Sequence, residues 1–156
     1  MAFPSTVNPR LISGLPGRLA YYGPNRGGVA IINSLDPANN IFGRFLTYRD
    51  NNVETVQAGG IGALAGVLQY PEVRANNALG GVNNFTPVDF LIEGEIYVAL
   101  GSIAGAVLDA PIYFTTTGVI TPVSTGNTVI PGGKIVRHLP SVETPNLAII
   151  YIPGIR

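Results

Sequence analysis

Glu93 and Glu95 stand two residues apart in the run Val88 to Leu100. On a strand both carboxylates share one face, the arrangement from which a glycosidase draws its acid and its nucleophile or base. The same run explains them without catalysis. Phe90, Ile92, Ile96, Val98 and Leu100 alternate with Asp89, Glu93 and Glu95 at a period of two, so one face is core and the other is wet. The acidic face also discourages wrong strand pairing, and its one functional role would be to face Arg side chains of a neighbour. His138 is the only histidine, no cysteine accompanies it, and no G-x-S-x-G elbow offers a serine for it to activate. It reads as a surface or structural histidine.

Three further motifs fail for lack of context. Gly60-Ile-Gly62-Ala-Leu-Ala65 resembles a dinucleotide fingerprint, but Gly66 and Pro71 leave no room for the helix whose N-terminus must hold the pyrophosphate. A glycine-kinked strand, Gly66 to Tyr70, is the better reading. Pro131-Gly132-Gly133-Lys134 is followed by Ile135, and Gly126 lies in the wrong register for a phosphate-binding loop, so this segment is read as a turn with a solvated lysine. Asn84-Phe85-Thr86 spells a glycosylation sequon that has no meaning without an export signal. With no cysteine, disulfides and thiolate metal sites are excluded. No catalytic residue, cofactor or metal site is expected.

The elements around these residues are strands. Short β-branched and aromatic runs, Ile112 to Thr117, Val119 to Val123, Val129 to Ile130 and Lys134 to His138, are punctuated by Gly118, Pro122, Gly126 and the Pro131 turn. Earlier in the chain, Val29 to Ile32, Ile41 to Arg49 and Val53 to Gln57 read as strands, with Asp50-Asn51-Asn52 turning the last two into a hairpin. Asn33 to Asn40 and Arg74 to Asn84 are loops. Leu147 to Ile152 is a continuous apolar run, hence a buried closing strand. Residues 1–28 carry Pro4, Pro9, Pro16 and Pro24 among many glycines, which forbids a helix and discourages a central strand. They form an extended N-terminal arm whose Phe3, Val7, Leu11, Ile12, Leu15, Leu19, Tyr21 and Tyr22 anchor it to its own domain or to a neighbour. Residues 29–156 form the domain itself: all-β, one compact antiparallel barrel or sandwich.

Composition narrows the partner. Nine basic and nine acidic residues cancel, so neither nucleic acid nor a membrane surface is expected as a partner. Only 12% of residues are charged, about half the usual share. A surface so poor in solvating charge is one that is normally covered. Eight of the nine basic residues are Arg, the cation enriched at protein interfaces. No secretory signal opens the chain, and its apolar runs fall short of a bilayer span.

Gly101 to Asn127, GSIAGAVLDAPIYFTTTGVITPVSTGN, resembles the pattern of tailed-bacteriophage head decoration and cement proteins. The MAFPSTVNP start and the strand I-F-G-R-F-L-T-Y (Ile41 to Tyr48) are similar to the structural cement group among them. The resemblance implies a non-enzymatic virion protein, made in the host cytoplasm, that binds the outer surface of the capsid. There it bridges neighbouring major capsid subunits and stabilises the shell, commonly as a homotrimer or homodimer. It further implies arm contacts from Phe3, Pro4, Val7, Arg10, Leu11 and Arg18, with Arg44 and Arg49 as partners for a neighbour's carboxylates. Two rivals stay open: a tail, neck or fibre-associated β-module, and a small carbohydrate-binding β-protein resting on Glu93, Glu95, Tyr21, Tyr22 and Tyr97.

Overall fold

In the computed structural model, which describes residues 14–21, 23–71, 81–138 and 145–155, the β-branched runs form nine strands. They are β1 (Arg26–Ile32), β2 (Phe45–Arg49), β3 (Asn52–Ala58), β4 (Leu64–Leu68), β5 (Thr86–Ala99), β6 (Pro111–Phe114), β7 (Ile120–Thr121), β8 (Thr128–His138) and β9 (Leu147–Pro153). The hydrogen-bonded order is β1-β3-β2-β4-β5-β9-β8-β6-β7, and β1 also pairs with β5. That extra pairing closes the first five strands into a small barrel. Its one parallel pair is β1 with β3; the rest are antiparallel, so the barrel is mixed and not purely antiparallel as expected.

Two cores result. Ala30, Ile32, Leu46, Tyr48, Val56, Ala58, Ala65, Leu68, Val88 and Phe90, drawn from all five barrel strands, fill the barrel. Phe45, Val67 and Leu91 point the other way, out of the barrel wall, and pack against Ile112, Phe114, Ile120, Ile130, Ile135, Ile150 and Ile152 of the second half of the sheet. Phe45 stacks on Phe114 with centroids 4.5 Å apart. Consecutive residues of β2, β4 and β5 therefore belong to different cores, so these strands are buried on both faces.

β5 departs from the strict alternation its sequence implies. Phe90 lies in the barrel, Leu91 in the second core, and Ile96, Val98 and Leu100 in that second core too, so Ile92 does not share a face with them. The cause is a bulge: Arg26 opposes Glu93 while Gly27 opposes Leu91, which places one extra residue on β5 and reverses the side-chain parity. Gly94 follows at a φ of 135°, backbone that favours glycine. Beyond this point β5 leaves β1 and β4 and runs with β9 from Glu93 to Ala99.

Glycine and proline misled the reading at other places. Pro131, Gly132 and Gly133 do not turn the chain; they lie inside β8 as an irregular stretch between the pairings Tyr113–Val129 and Pro111–Lys134. The extra residues let β8 pass from β6 to β9, and Lys134 forms an ion pair with Asp109 at 3.0 Å instead of standing free in solvent. β1 begins at Arg26, within the segment assigned to the arm, because Gly27 and Gly28 permit close approach: a Cβ on Gly28 would sit 2.6 Å from the Phe90 ring. β2 starts only at Phe45, since Gly43 at a φ of 85° breaks the run from Ile41. β6 and β7 are shorter than their β-branched runs, and β9 lies between β5 and β8 instead of closing the barrel. The hairpin turn at Asp50 and Asn51 is as expected, both at positive φ.

The described part of the arm lies on its own domain. Gly17 N–H donates to the Tyr97 carbonyl at 2.7 Å and Tyr97 N–H donates to Arg18 at 2.9 Å, so the arm covers the edge of β5 opposite β9. Gly66 marks the tightest contact within the barrel, for a Cβ there would overlap the Leu91 carbonyl of the neighbouring strand. Gly66→Ala is expected to destabilise the protein by about 1–3 kcal/mol, the usual cost of overpacking. The check is a lowered urea midpoint at unchanged m-value.

Candidate functional site

The loops at one end of the barrel are joined by a buried polar clamp. Asn84 Oδ1 accepts from the Ser34 N–H at 2.9 Å, and Asn84 Nδ2 donates to the Ser34 carbonyl at 2.8 Å. This double bond to one residue sets the orientation of the Asn84 amide, so Asn40 must turn its own Nδ2 toward Asn84 Oδ1, at 2.8 Å. The Asn40 Oδ1 is then buried without a hydrogen-bond partner among the described residues, a condition that costs about 1–3 kcal/mol. Ser34 Oγ completes the clamp by accepting from Ala58 N–H at 2.8 Å, which ties both loops to β3. The sequon asparagine is thus a structural residue with its amide engaged.

Beside the clamp lies a recess of about 410 Å³, lined by Pro37, Ala38, Asn40, Ile41, Val82 and Asn83 together with Gly81. A single 3₁₀ turn, Pro37–Asn39, shapes one wall, capped by the Asp36 carboxylate accepting from Ala38 N–H at 3.0 Å. Ile41 and Gly81 pair across the opening of the two loops. Immediately beyond the clamp residues stand two large apolar side chains in water: Leu35, 87% exposed, and Phe85, 74% exposed. Phe85 has a φ of 64°, unusual for a bulky side chain, and its N–H donates to the Ile32 carbonyl at 2.7 Å.

Other apolar groups are exposed on the barrel wall and on the loop after β5. Val29 and Ile31 of β1 and Val53 of β3 face outward, and Ile103, Val107 and Leu108 are exposed on the loop 100–110 that leads to β6. The low charge of the sequence pointed to a covered surface of this kind, but not to its location, because exposure at Phe85 and Leu35 depends on turns that periodicity does not describe.

Of the residues singled out beforehand, Phe3, Pro4, Val7, Arg10 and Leu11 lie outside the described residues, as does Tyr22. Arg18 stacks over the Tyr70 ring at 5.2 Å. Arg44 is turned inward: its Nη1 donates to Asn39 Oδ1 at 2.8 Å and to the Thr117 carbonyl at 3.2 Å, linking the loop before β2 to the turn after β6. Burial lowers its pKa, against the opposing pull of Asp36. Arg49 donates to the Asn33 carbonyl at 2.7 Å and approaches Asp50 at 3.5 Å. The three do not converge on one another through any of these contacts.

The alternative chemical groups are likewise spread. Glu93 faces Arg26 at 3.9 Å across the surface, and Tyr97 is half-buried beneath the arm, with its ring against Gly14. His138 Nε2 lies 3.3 Å from the Pro145 carbonyl. Among the described residues no three His, Asp or Glu side chains gather as metal ligands.

Comparison with known proteins gives two findings. The family described as "Structural cement protein (E217 gp24/Pam3 gp6)" matches residues 3–152. Among solved structures, a chain from "The capsid of Myoviridae Phage XM1" superposes with a TM-score of 0.71 at 13% sequence identity, covering 100% of both chains. No curated protein matches in sequence. At that identity the structural likeness speaks to the fold, and the family match to kinship. Asn84→Ala is expected to cost about 2–3 kcal/mol by leaving Ser34 N–H and the Asn40 amide without their acceptor, measurable as a drop in denaturation midpoint.

Proposed function

Since the chain belongs to the phage structural cement protein family, we propose that it sits on the outer surface of an assembled capsid and bridges neighbouring major capsid subunits, stabilising the shell. The observation that carries this reading is the family match over nearly the whole chain, residues 3–152. The physical character of the surface supports it. Leu35, Phe85, Val29, Ile31 and Val53 expose apolar area on the barrel, and the chain has few charges to solvate it.

Cementing needs no strong single site. Modest contacts repeated with the symmetry of a shell give avidity, and a protein that binds the assembled state and not its parts stabilises that state by mass action. Self-association as a dimer or trimer suits a ligand that occupies symmetry positions. In this reading the N-terminal arm adds contacts through Phe3, Pro4, Val7, Arg10 and Leu11. Arg18 and Arg49 lie at the domain surface, where a neighbour's carboxylates can compete for them, whereas Arg44 acts first as an internal strut.

Co-sedimentation with expanded, undecorated capsids of the cognate phage tests the proposal. Saturable binding at a copy number set by the shell's symmetry is expected; a folded protein that stays in the supernatant at every concentration excludes it. Deleting residues 1–13 probes the arm separately, since residues 17–20 keep their bonds to β5. The truncated protein is expected to melt at the parent temperature and to bind shells at least about tenfold more weakly, a loss of about 1.4 kcal/mol.

A further inference from the structure

β1 is paired along its whole length on one side only. With β5 it runs from Arg26 to Ile32, whereas with β3 it pairs at Ile31 and Ile32 and no further. Neighbouring bonds fix the direction of its backbone groups. The Asp89 carbonyl accepts from Gln69 N–H on the β4 side, so Val88 and Phe90 turn theirs toward β1, where they meet Ala30 and Gly28. Asn33 N–H donates to the Val56 carbonyl of β3, which gives the odd-numbered residues the opposite direction. Gly27 and Val29 therefore aim N–H and C=O away from β5, at a level where β3 has left the ladder, and among the described residues nothing bonds them there. Other edges are protected: the arm lies on β5, and across the gap Glu54 N–H of β3 is capped by Asn52 Oδ1 at 2.9 Å. From Gly27 to Ala30, β1 has no charge and no proline to blunt it.

We infer that this edge receives the same edge of a second copy, β1 pairing antiparallel with β1 about a two-fold axis at Gly28. The edge is its own complement. In that register Gly27 and Val29 of opposite copies exchange both of their bonds, and Gly28 meets Gly28 in the narrow pair, where the absence of side chains admits the approach. Val29, 70% exposed, then lies over Gly27 of the second copy, which has no side chain to oppose it. An axis at Val29 is excluded, for it would set the second copy against Ile31, whose bonding side β3 already holds. The charges agree with the axis at Gly28. The Ile31–Thr55 pairing sets Glu54 beside Ala30, and Ala30 faces Arg26 of the second copy, so an acidic and a basic group approach on both sides of the axis. The inference goes beyond the cement reading and does not depend on it, since it concerns copies of this chain and no shell.

Three variants separate pairing from folding. Val29→Pro deletes the N–H at the free edge, a position that tolerates proline in a strand; Val29→Lys sets an ammonium there, and Glu54→Arg turns attraction to Arg26 into repulsion. Each is compared with the parent by sedimentation equilibrium and by thermal melting in dilute solution, and the parent's Gly27 and Val29 amides are followed by hydrogen exchange at several concentrations. The parent is expected to dimerise reversibly, with both amides exchanging more slowly as concentration rises. All three variants are expected to associate at least about tenfold more weakly, and Val29→Lys and Glu54→Arg to melt within a few degrees of the parent, so the test stands even where Val29→Pro fails to fold. A parent that is monomeric at every concentration overturns the inference, as does a dimer that Val29→Lys and Glu54→Arg leave at parent strength. Protection of the two amides at every dilution, lost on deleting residues 1–13, also overturns it by making the chain's own arm the occupant.

Discussion

The barrel wall formed by β2, β4 and β5 is buried on both faces, and the rest of the molecule depends on that. Leu46, Leu68 and Phe90 look into the barrel, while their neighbours Phe45, Val67 and Leu91 look into the second core. A wall of this kind tolerates little charge: Arg49 stands at the end of β2, Asp89 near the start of β5, and Glu93 and Glu95 where the wall ends. It also makes each core a support for the other. Losing a side chain from either leaves a void against a sheet that cannot relax outward. Two modest cores sharing one wall give a chain of this size a continuous interior from β1 to β7.

Such a wall demands close backbone approach, and glycine supplies it at the junctions. A Cβ on Gly59 would overlap Gly118 and the Thr116 carbonyl, so the loop after β3 and the turn before β7 meet main chain to main chain. Phe45 N–H donates to Gly118 and Gly59 N–H to Phe45, both at 2.8 Å. Gly60, the first glycine of the imitated nucleotide motif, joins this junction by donating its N–H to the Thr116 carbonyl at 2.9 Å. At the barrel end the Ser34, Asn40 and Asn84 side chains tie the loops together by hydrogen bonds, while Thr47 of β2 and Thr121 of β7 are buried elsewhere in the sheet.

Much of this was legible in the sequence, and what was not has a common cause. The all-β class, the Asp50-Asn51 turn, the apolar β9 run and the kinship with cement proteins all follow from local pattern. The parity change in β5, the passage of β8 between two partners through Pro131 to Gly133, and the start of β1 at Arg26 do not. Each is a case where glycine or proline serves a strand instead of ending it, and only the partner strand decides which. The recess was hidden for a related reason. Its residues come from two loops far apart in the chain, around Asn40 and around Val82, and Asn84 signals only a turn or a sequon until Ser34 is placed beside it.

Closing the barrel through β1 and β5 has a kinetic consequence. Gly28 must find Phe90 across three intervening strands, and Arg26 must find Glu93 in the same register. The entropy of that long closure is lost before any contact in the barrel core repays it, so a fold of this topology forms in milliseconds to seconds and not in microseconds. Until β1 docks, β5 offers an open, apolar edge to any other chain still folding nearby. This interval before closure is the stage at which aggregation competes with the native state, the more so as the local concentration of unfinished chains rises.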